Sequence, residues 1–232
     1  MAIIATIETT IIWLWIGLPI TVPSAIITIS TDKIKSVNMA DFILSFSRGF
    51  CQDRFEVKTI GFSINVPENW IPMENDAILK NLKQYDFTEK QMAELLKSNN
   101  SAVDLATYTK YDPKKHRGII PTIKIRTHTN QTDNINDFKT VIEKSTENTK
   151  KALTNFRFII HPEITEIAKH KVVRFSVQFK VKNGGVDYEI MSRTYYIPKK
   201  GYFISLNFIE EVGNEDNRLL FEELIKSIQL TN

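Results

Sequence analysis

The chain has 232 residues, of which 42% are hydrophobic and 25% are charged, and its formal net charge is +3. This composition is typical of one ordinary globular domain with or without an extension. The weak positive net charge gives no general case for nucleic-acid binding, which calls for a strongly basic face. The single cysteine, Cys51, excludes an internal disulfide, a CxxC redox pair and a cysteine-rich zinc site.

The first thirty residues differ from the rest, because Glu8 is their only charge and no Lys or Arg precedes Lys33. The apolar run from Thr9 to Ile29 has about the ~20 residues that a membrane span needs. A secretory signal cleaved near Ser24 is a second interpretation, although the basic start of such a signal is missing.

Two further interpretations of this segment stay open. One is a buried pair of apolar strands. The other is a misassigned start, with Met39 as the true beginning and Cys51 as a lipid-bearing cysteine of the bacterial lipoprotein type. We expect residues 1–53 to be a leader, an anchor or an extension, and residues 54–232 to form a single folded domain.

The domain begins with two predicted strands separated by a bend at Gly61. Phe62, Ile64 and Val66 alternate on one face of the second strand. Pro67 lacks the amide hydrogen that a strand ladder needs, so pairing must end there. We expect Trp70, three residues later, to cover the edge of the core rather than to form a binding site.

Two short helices are predicted within residues 75–99, with Thr88 capping the second. Residues 102–111 and 119–128 read as strands joined by a basic loop. Residues 134–153 predict an amphipathic helix with Asn134 as its cap and Phe138, Val141 and Ile142 on the buried side.

The last third of the chain contains the clearest strand pattern. Apolar residues occupy every second position from Val173 to Val181, and the turn Asn183-Gly184-Gly185 predicts a hairpin. A turn at Gly184-Gly185 pairs Lys180 with Glu189 and Lys182 with Asp187, whereas a turn at Asn183-Gly184 pairs Lys180 with Asp187. Both registers stay open.

A further strand follows, then a final helix capped by Asn214, with a buried stripe formed by Leu220, Phe221, Leu224, Ile225 and Ile228. Strands joined by hairpins, with helices inserted between groups, predict an α+β fold. We expect an αβα sandwich with a mainly antiparallel sheet flanked by helices.

The motifs of common enzyme classes are absent from the sequence. Its eight glycines make neither GxGxxG nor GxxxxGK[ST], and there is no GxSxG and no HExxH. The four histidines lie in separate elements, although His128 and His170 were candidates to meet across the sheet as metal ligands. Asp187 and Glu189 share one face of a strand, and pairing with lysines explains them more simply than acid–base chemistry does.

One surface is a candidate for partner binding. The loop residues Lys114, Lys115, His116 and Arg117, together with Lys199 and Lys200, predict a basic patch for an anionic partner. No aromatic residue alternates with these basic residues, so a nucleic-acid stacking platform is not supported.

Three motifs resemble the PsbP-like family, which includes extrinsic photosystem II subunits, a nuclear Ran-binding import factor and bacterial relatives. They are GFSINVPENW at residues 61–70, the hairpin from residue 174 to residue 208, and the closing helix FEELIKSIQL. The resemblance covers residues 54–232, and it implies an αβα sandwich without shared catalytic residues, acting by docking to proteins.

We therefore expect a non-enzymatic accessory or protein-binding domain, exported or membrane-tethered, without a cofactor or nucleic-acid partner. The alternatives are a cytoplasmic adaptor with a misassigned start and an enzyme whose site has no familiar motif.

Overall fold

The computed structural model describes residues 53–73, 102–116, 118–183 and 185–231. The helices predicted within residues 75–99 lie outside the described residues, as does almost all of the leader, including Met39 and Cys51. The fold belongs to the predicted α+β class, with one seven-stranded sheet, one three-stranded sheet and two α-helices in the described ranges.

The small sheet joins the beginning of the domain to its end. It contains β1 (Arg54–Val57), β2 (Phe62–Asn65) and β10 (Gln229–Leu230), all antiparallel. A 3-10 turn, Lys58–Ile60, connects β1 to β2 and ends at Gly61, whose φ of +57° is the left-handed conformation that glycine adopts readily. The predicted bend at Gly61 and the end of pairing before Pro67 are confirmed.

The large sheet is antiparallel throughout its described pairs, in the strand order β3-β4-β5-β9-β8-β7-β6. Its strands are β3 (Ile71–Pro72), β4 (Ala102–Thr109), β5 (Thr122–Thr129), β6 (Thr154–Ile167), β7 (His170–Asn183), β8 (Val186–Lys199) and β9 (Tyr202–Glu211). The β7–β8 hairpin adopts the first predicted register, with Lys180 opposite Glu189 and Lys182 opposite Asp187.

The first helix, α1 (Ile135–Ala152), starts at the predicted cap, because the Asn134 side chain accepts hydrogen bonds from the amides of Asn136 and Asp137. Phe138 and Ile142 are buried as predicted. Val141 is 48% exposed, so its placement on the buried side was wrong. The buried stripe continues through Thr146 and Thr149, whose hydroxyls donate to carbonyls of the preceding turn.

The last helix, α2 (Arg218–Lys226), begins later than the sequence suggested. Asn217, and not Asn214, is the residue before its first turn. The predicted stripe is confirmed in outline, since Phe221, Leu224 and Ile228 are buried while Leu220 and Ile225 are partly buried against them.

The sequence pattern did not predict β6, the edge strand of the large sheet. Its pairing with β7 shifts register three times within 14 residues. Each shift moves side chains to the opposite face, so the alternation that identifies a strand is lost.

Two apolar clusters cover the two faces of the large sheet. One face packs against α2 and the small sheet around Phe62, Leu206, Phe208 and Phe221. The other face packs against α1 around Phe138, Val173 and Phe175. The sheet therefore lies between α1 and a layer made of α2 and the small sheet. Its α1 side also contains several buried polar residues.

Candidate functional site

Strand β5 places three basic residues on one side of the large sheet. Lys124, Arg126 and His128 alternate with Ile123 and Ile125, which are 2% and 0% exposed on the opposite side. Because successive residues of a strand point to opposite faces, the three basic side chains form a line on the α1 side. Strand β5 is an inner strand, so this line runs through the sheet and not along its edge.

Neighbouring strands add polar residues to the same region. Lys124 lies opposite Asn207, which in turn lies opposite Thr194. Residues directly opposite each other on antiparallel strands share a face, so these side chains project on one side. We name the following residues the central polar cluster: Asp104, Lys124, Arg126, Ser192, Thr194, Ser205 and Asn207.

The cationic groups of this cluster share one carboxylate. Asp104 forms an ion pair with Arg126, whose Nη2 lies 3.4 Å from Oδ2. Lys124 Nζ lies 4.0 Å from Asp104 Oδ2, which is too far for a hydrogen bond. The side chains of Lys124 and Arg126 are 14% and 13% exposed, whereas Asp104 is 40% exposed. Among the described residues, the cluster therefore carries one surplus positive charge.

The pKa of Lys124 reflects this situation. Burial, together with the neighbouring charge of Arg126, lowers the pKa of Lys124 from 10.5 to about 8, although Asp104 acts in the opposite direction. At neutral pH the amine is still mostly protonated. A second negative group beside it would remove much of the cost of keeping that charge away from water.

The cluster also has more donors than acceptors. Ser192 Oγ donates to Asn207 Oδ1 at 2.7 Å, which leaves the amide nitrogen of Asn207 as a donor. Thr194 is 1% exposed, and its hydroxyl has no hydrogen-bond partner in the described part of the chain. Buried polar groups are usually paired, so an unpaired buried hydroxyl in the same row as Lys124 is unusual.

His128 extends the basic line but adds no charge at neutral pH. It is 5% exposed and stacks on Phe203 with the ring centroids 5.0 Å apart. Burial first, and then the charges of Arg126 and Lys124, lower the pKa of His128 to about 3. Its Nε2 has no hydrogen-bond partner within the described ranges.

The predicted basic patch is divided between two places. Lys114, Lys115 and His116 lie in the turn before β5; Lys115 Nζ is 3.7 Å from Asp112 Oδ2, and His116 stacks on Tyr111. Arg117 lies outside the described residues.

Lys199 and Lys200 lie at the β8–β9 turn, where Lys199 Nζ is 3.3 Å from the carbonyl oxygen of Thr231. In the β5–β9 register, the loop adjoins the Ile209 end of β9 and the turn adjoins the Tyr202 end, which are about 24 Å apart at ~3.4 Å per residue. The fold does not bring the two halves together, and partner binding by either half stays a prediction.

The histidines and carboxylates proposed for chemistry are also separated. His128 lies in β5, whereas His170 lies at the β6–β7 turn with Nδ1 2.8 Å from the carbonyl oxygen of Ala168. Glu189 lies opposite the predicted Lys180 in the hairpin, and its carboxylate is also 3.7 Å from Nη2 of Arg157 in β6. Within the described ranges, no three His, Cys, Asp or Glu side chains are grouped as metal ligands.

A second charged network lies at the start of α2 and has a structural role. Glu210 is 3% exposed; its carboxylate accepts hydrogen bonds from Arg193 and from the backbone and side chain of Asn217. Glu215 accepts hydrogen bonds from Lys110 and Tyr111. Burial opposes ionisation of Glu215, but these hydrogen bonds prevail and lower its pKa. The network joins α2 to β8, β9 and the loop after β4. Both of its carboxylates, Glu210 and Glu215, already accept hydrogen bonds from at least two residues.

Trp70 belongs to the core, as predicted. It is 8% exposed and packs edge-to-face against Phe221 of α2, with the ring centroids 6.3 Å apart. Its position beside β2 and β3 makes it a link between the first strands and the last helix.

No family model matches the chain, and no curated protein matches it. Solved structures similar to it include LpqN from Mycobacterium tuberculosis, a protein involved in cell envelope biogenesis. That comparison has 12% sequence identity and a TM-score of 0.42, and it covers 84% of this chain and 98% of LpqN. A structure from Bacteroides thetaiotaomicron has 10% identity and a TM-score of 0.43 over 78% of this chain and 49% of that chain.

The solution structure of cyanobacterial PsbP from Synechocystis has 11% identity and a TM-score of 0.46, covering 80% of this chain and 96% of that chain. At these identities the similarities say nothing about what the chain binds. In the described residues, no helix has the length and apolar character of a membrane span.

Sequence reasoning missed the central polar cluster, although one of the two features that define it can be read from the sequence. The alternation in TIKIRTH, residues 122–128, already places three basic residues on one strand face. The other feature requires the strand order, because Asn207 and Thr194 become neighbours of β5 only when β9 and β8 are placed beside it.

Proposed function

We propose that the chain is a non-enzymatic accessory domain that acts by binding, and that the central polar cluster is its binding site for a negatively charged group. The observation that supports this proposal is the sharing of one carboxylate, Asp104, by two mostly buried cations, Lys124 and Arg126. An anion bound at Lys124 supplies the missing counter-charge and accepts the hydrogen bonds that the cluster has to donate.

Stability alone gives a weak reason for this arrangement. Removing a charge from water costs several kcal/mol after relaxation of the protein, in the order of magnitude usual for buried ions. An apolar residue at position 124 would fill the same space without that cost, as Ile123 and Ile125 do on the opposite face. A binding role explains why an amine is present.

The test is a titration of the folded protein with small anions, followed by backbone amide NMR shifts. We expect acetate, inorganic phosphate or sulfate to shift the amides around Lys124, Asn207 and Thr194. Lys124→Met should abolish these shifts, while Lys171→Met, which removes an exposed lysine of β7, should leave them unchanged. Shifts spread over surface lysines, or shifts that persist in Lys124→Met, would overturn the proposal.

We further propose that the domain works outside the cytoplasm, exported or tethered by the apolar segment within residues 1–53. The support is the sequence of that segment, which has one charge in its first thirty residues. N-terminal sequencing of the natural protein, combined with cell fractionation, tests it. The expected result is cleavage near Ser24, lipid on Cys51, or an uncleaved chain in the membrane fraction. A cytoplasmic chain starting at Met39 would contradict the proposal.

A further inference from the structure

The ligand class of the central polar cluster can be narrowed by counting its charges. Lys124 and Arg126 contribute two positive charges and Asp104 one negative charge, and burial keeps His128 neutral at pH 7. The described groups on this side of β5 thus leave a single positive charge. A ligand with one negative charge makes the buried region neutral, whereas a ligand with two negative charges leaves a surplus negative charge away from water.

The donors that remain lie in one row across three strands of the sheet. Arg126 already pairs with Asp104, which supplies its counter-charge. The Lys124 amine, the amide nitrogen of Asn207 and the Thr194 hydroxyl belong to residues on successive strands in one row of the sheet. Adjacent strands are ~4.8 Å apart, so neighbouring residues of this row lie one strand spacing apart.

A phosphate or sulfate group is a poorer match for two reasons. At pH 7 a phosphate monoester carries a charge of about −1.5 to −2, more than the cluster neutralises. Sites that hold such groups commonly use bidentate arginine or a helix N-terminus, and here the one arginine of the cluster is paired with Asp104.

We propose that the central polar cluster binds a carboxylate group with a single negative charge, held by Lys124, Asn207 and Thr194. This inference rests on the proposed function, because it specifies the ligand of the same site. Two sources of the carboxylate fit the chemistry: a free small organic acid, and an acidic side chain of a polypeptide.

The experiment compares five probes on the full chain at equal ionic strength: acetate, acetamide, inorganic phosphate, sulfate, and an N-acetylated, C-amidated Gly-Glu-Gly peptide. Amide shifts at the cluster give a dissociation constant for each. We expect acetate or the peptide to bind about tenfold more tightly than phosphate and sulfate, because the extra charge of these ions stays uncompensated. Acetamide, which has the shape of acetate without its charge, should not bind.

Variants separate the roles within the row. Thr194→Val keeps the shape of the side chain and removes the hydroxyl, so we expect acetate affinity to fall several-fold while the fold is retained, as checked by unchanged amide shifts elsewhere. Thr165→Val, a partly exposed threonine of β6, serves as the matched control. Equal acetate affinity in Thr194→Val and wild type would contradict the assignment of Thr194.

The outcomes distinguish this inference from the proposal on which it rests. Tighter binding of phosphate or sulfate at the cluster would overturn the carboxylate inference and leave the binding function standing. Binding of none of the anions would overturn both. Tighter binding of the peptide than of acetate would identify a polypeptide as the source, and the reverse would identify a small acid.

Discussion

Lys124 and His128 lie four residues apart on β5, and burial lowers the pKa of both, by amounts that leave them in opposite states at neutral pH. Lys124 stays mostly charged, whereas His128 is neutral. The strand therefore places a charged amine and an uncharged imidazole on the same sheet face, and the two titrate in separate pH ranges.

His128 makes the stability of the domain sensitive to mild acid. Its pKa is about 3 in the folded state and about 6.5 in an unfolded chain. As the pH falls through about 6.5, His128 is protonated in the unfolded chain but stays neutral in the folded protein, so the free energy of unfolding decreases. The contribution of neutral His128 is fully present above pH ~6.5 and is lost progressively toward pH ~3.

Substitution of His128 by Phe should remove this loss. Phe preserves the ring that stacks on Phe203 and lies between Ala102 of β4 and β9. Urea unfolding at about pH 7 and about pH 5 should show a pH-dependent decrease that is ~2 kcal/mol smaller in His128→Phe than in wild type. His161→Phe, at an exposed histidine, should follow wild type; parallel pH dependence of all three proteins would refute the prediction.

At the scale of elements, α1 shows that an apolar helical pattern predicts the helix but not every buried residue on it. Phe138 and Val141 are both apolar and three residues apart, yet Phe138 is 2% exposed and Val141 48% exposed. The stripe turns instead toward Thr146 and Thr149, because the helix packs along β6 and β7 with threonines whose hydroxyls are satisfied inside the helix.

Two substitutions in α1 should therefore differ widely in effect. Phe138→Ala should lower the free energy of unfolding by ~3–5 kcal/mol, because it opens a cavity beside Phe203. Val141→Ala should change it by less than ~0.5 kcal/mol. Chemical unfolding of both variants tests the comparison, and a comparable loss in Val141→Ala would show that its exposed side chain is covered by something else.

The elements that the sequence predicted well are those with strict local patterns. Strand β7 alternates from Val173 to Val181, and one of the two registers proposed for its pairing with β8 is the one observed. Strand β6 was missed because three register shifts break its alternation. The central polar cluster was missed because its members come from four strands, and Asp104 and Asn207 are brought together only by tertiary pairing. The periodicity of a sequence identifies a strand, but it does not determine which strands lie beside it in the sheet.

At the scale of the whole molecule, contacts between distant parts of the sequence unite the first strands and the last helix. Trp70 packs on Phe221, and the amide of Thr231 donates to the carbonyl of Gly61 at 2.8 Å. These contacts close the layer that opposes α1 across the large sheet.

Trp70→Ala should consequently destabilise the entire domain, by ~3–5 kcal/mol. Thermal or urea unfolding should stay a single transition at lower midpoint, since the contact joins both ends of the domain. Leu219→Ala, at a side chain that is 71% exposed, is the matched control and should be near neutral. A stable Trp70→Ala protein would show that this tryptophan serves recognition instead.

The irregular strand β6 has a consequence for behaviour at high concentration. A 14-residue strand at the edge of a sheet is long enough to recruit another chain into a growing fibril. Here the three shifts of register bend the strand, and Pro162 removes one amide hydrogen from its middle. A second copy approaching this edge would meet no continuous row of donors and acceptors. We therefore expect the irregularities that hid β6 from sequence reasoning to weaken pairing of this edge with a second copy of the chain.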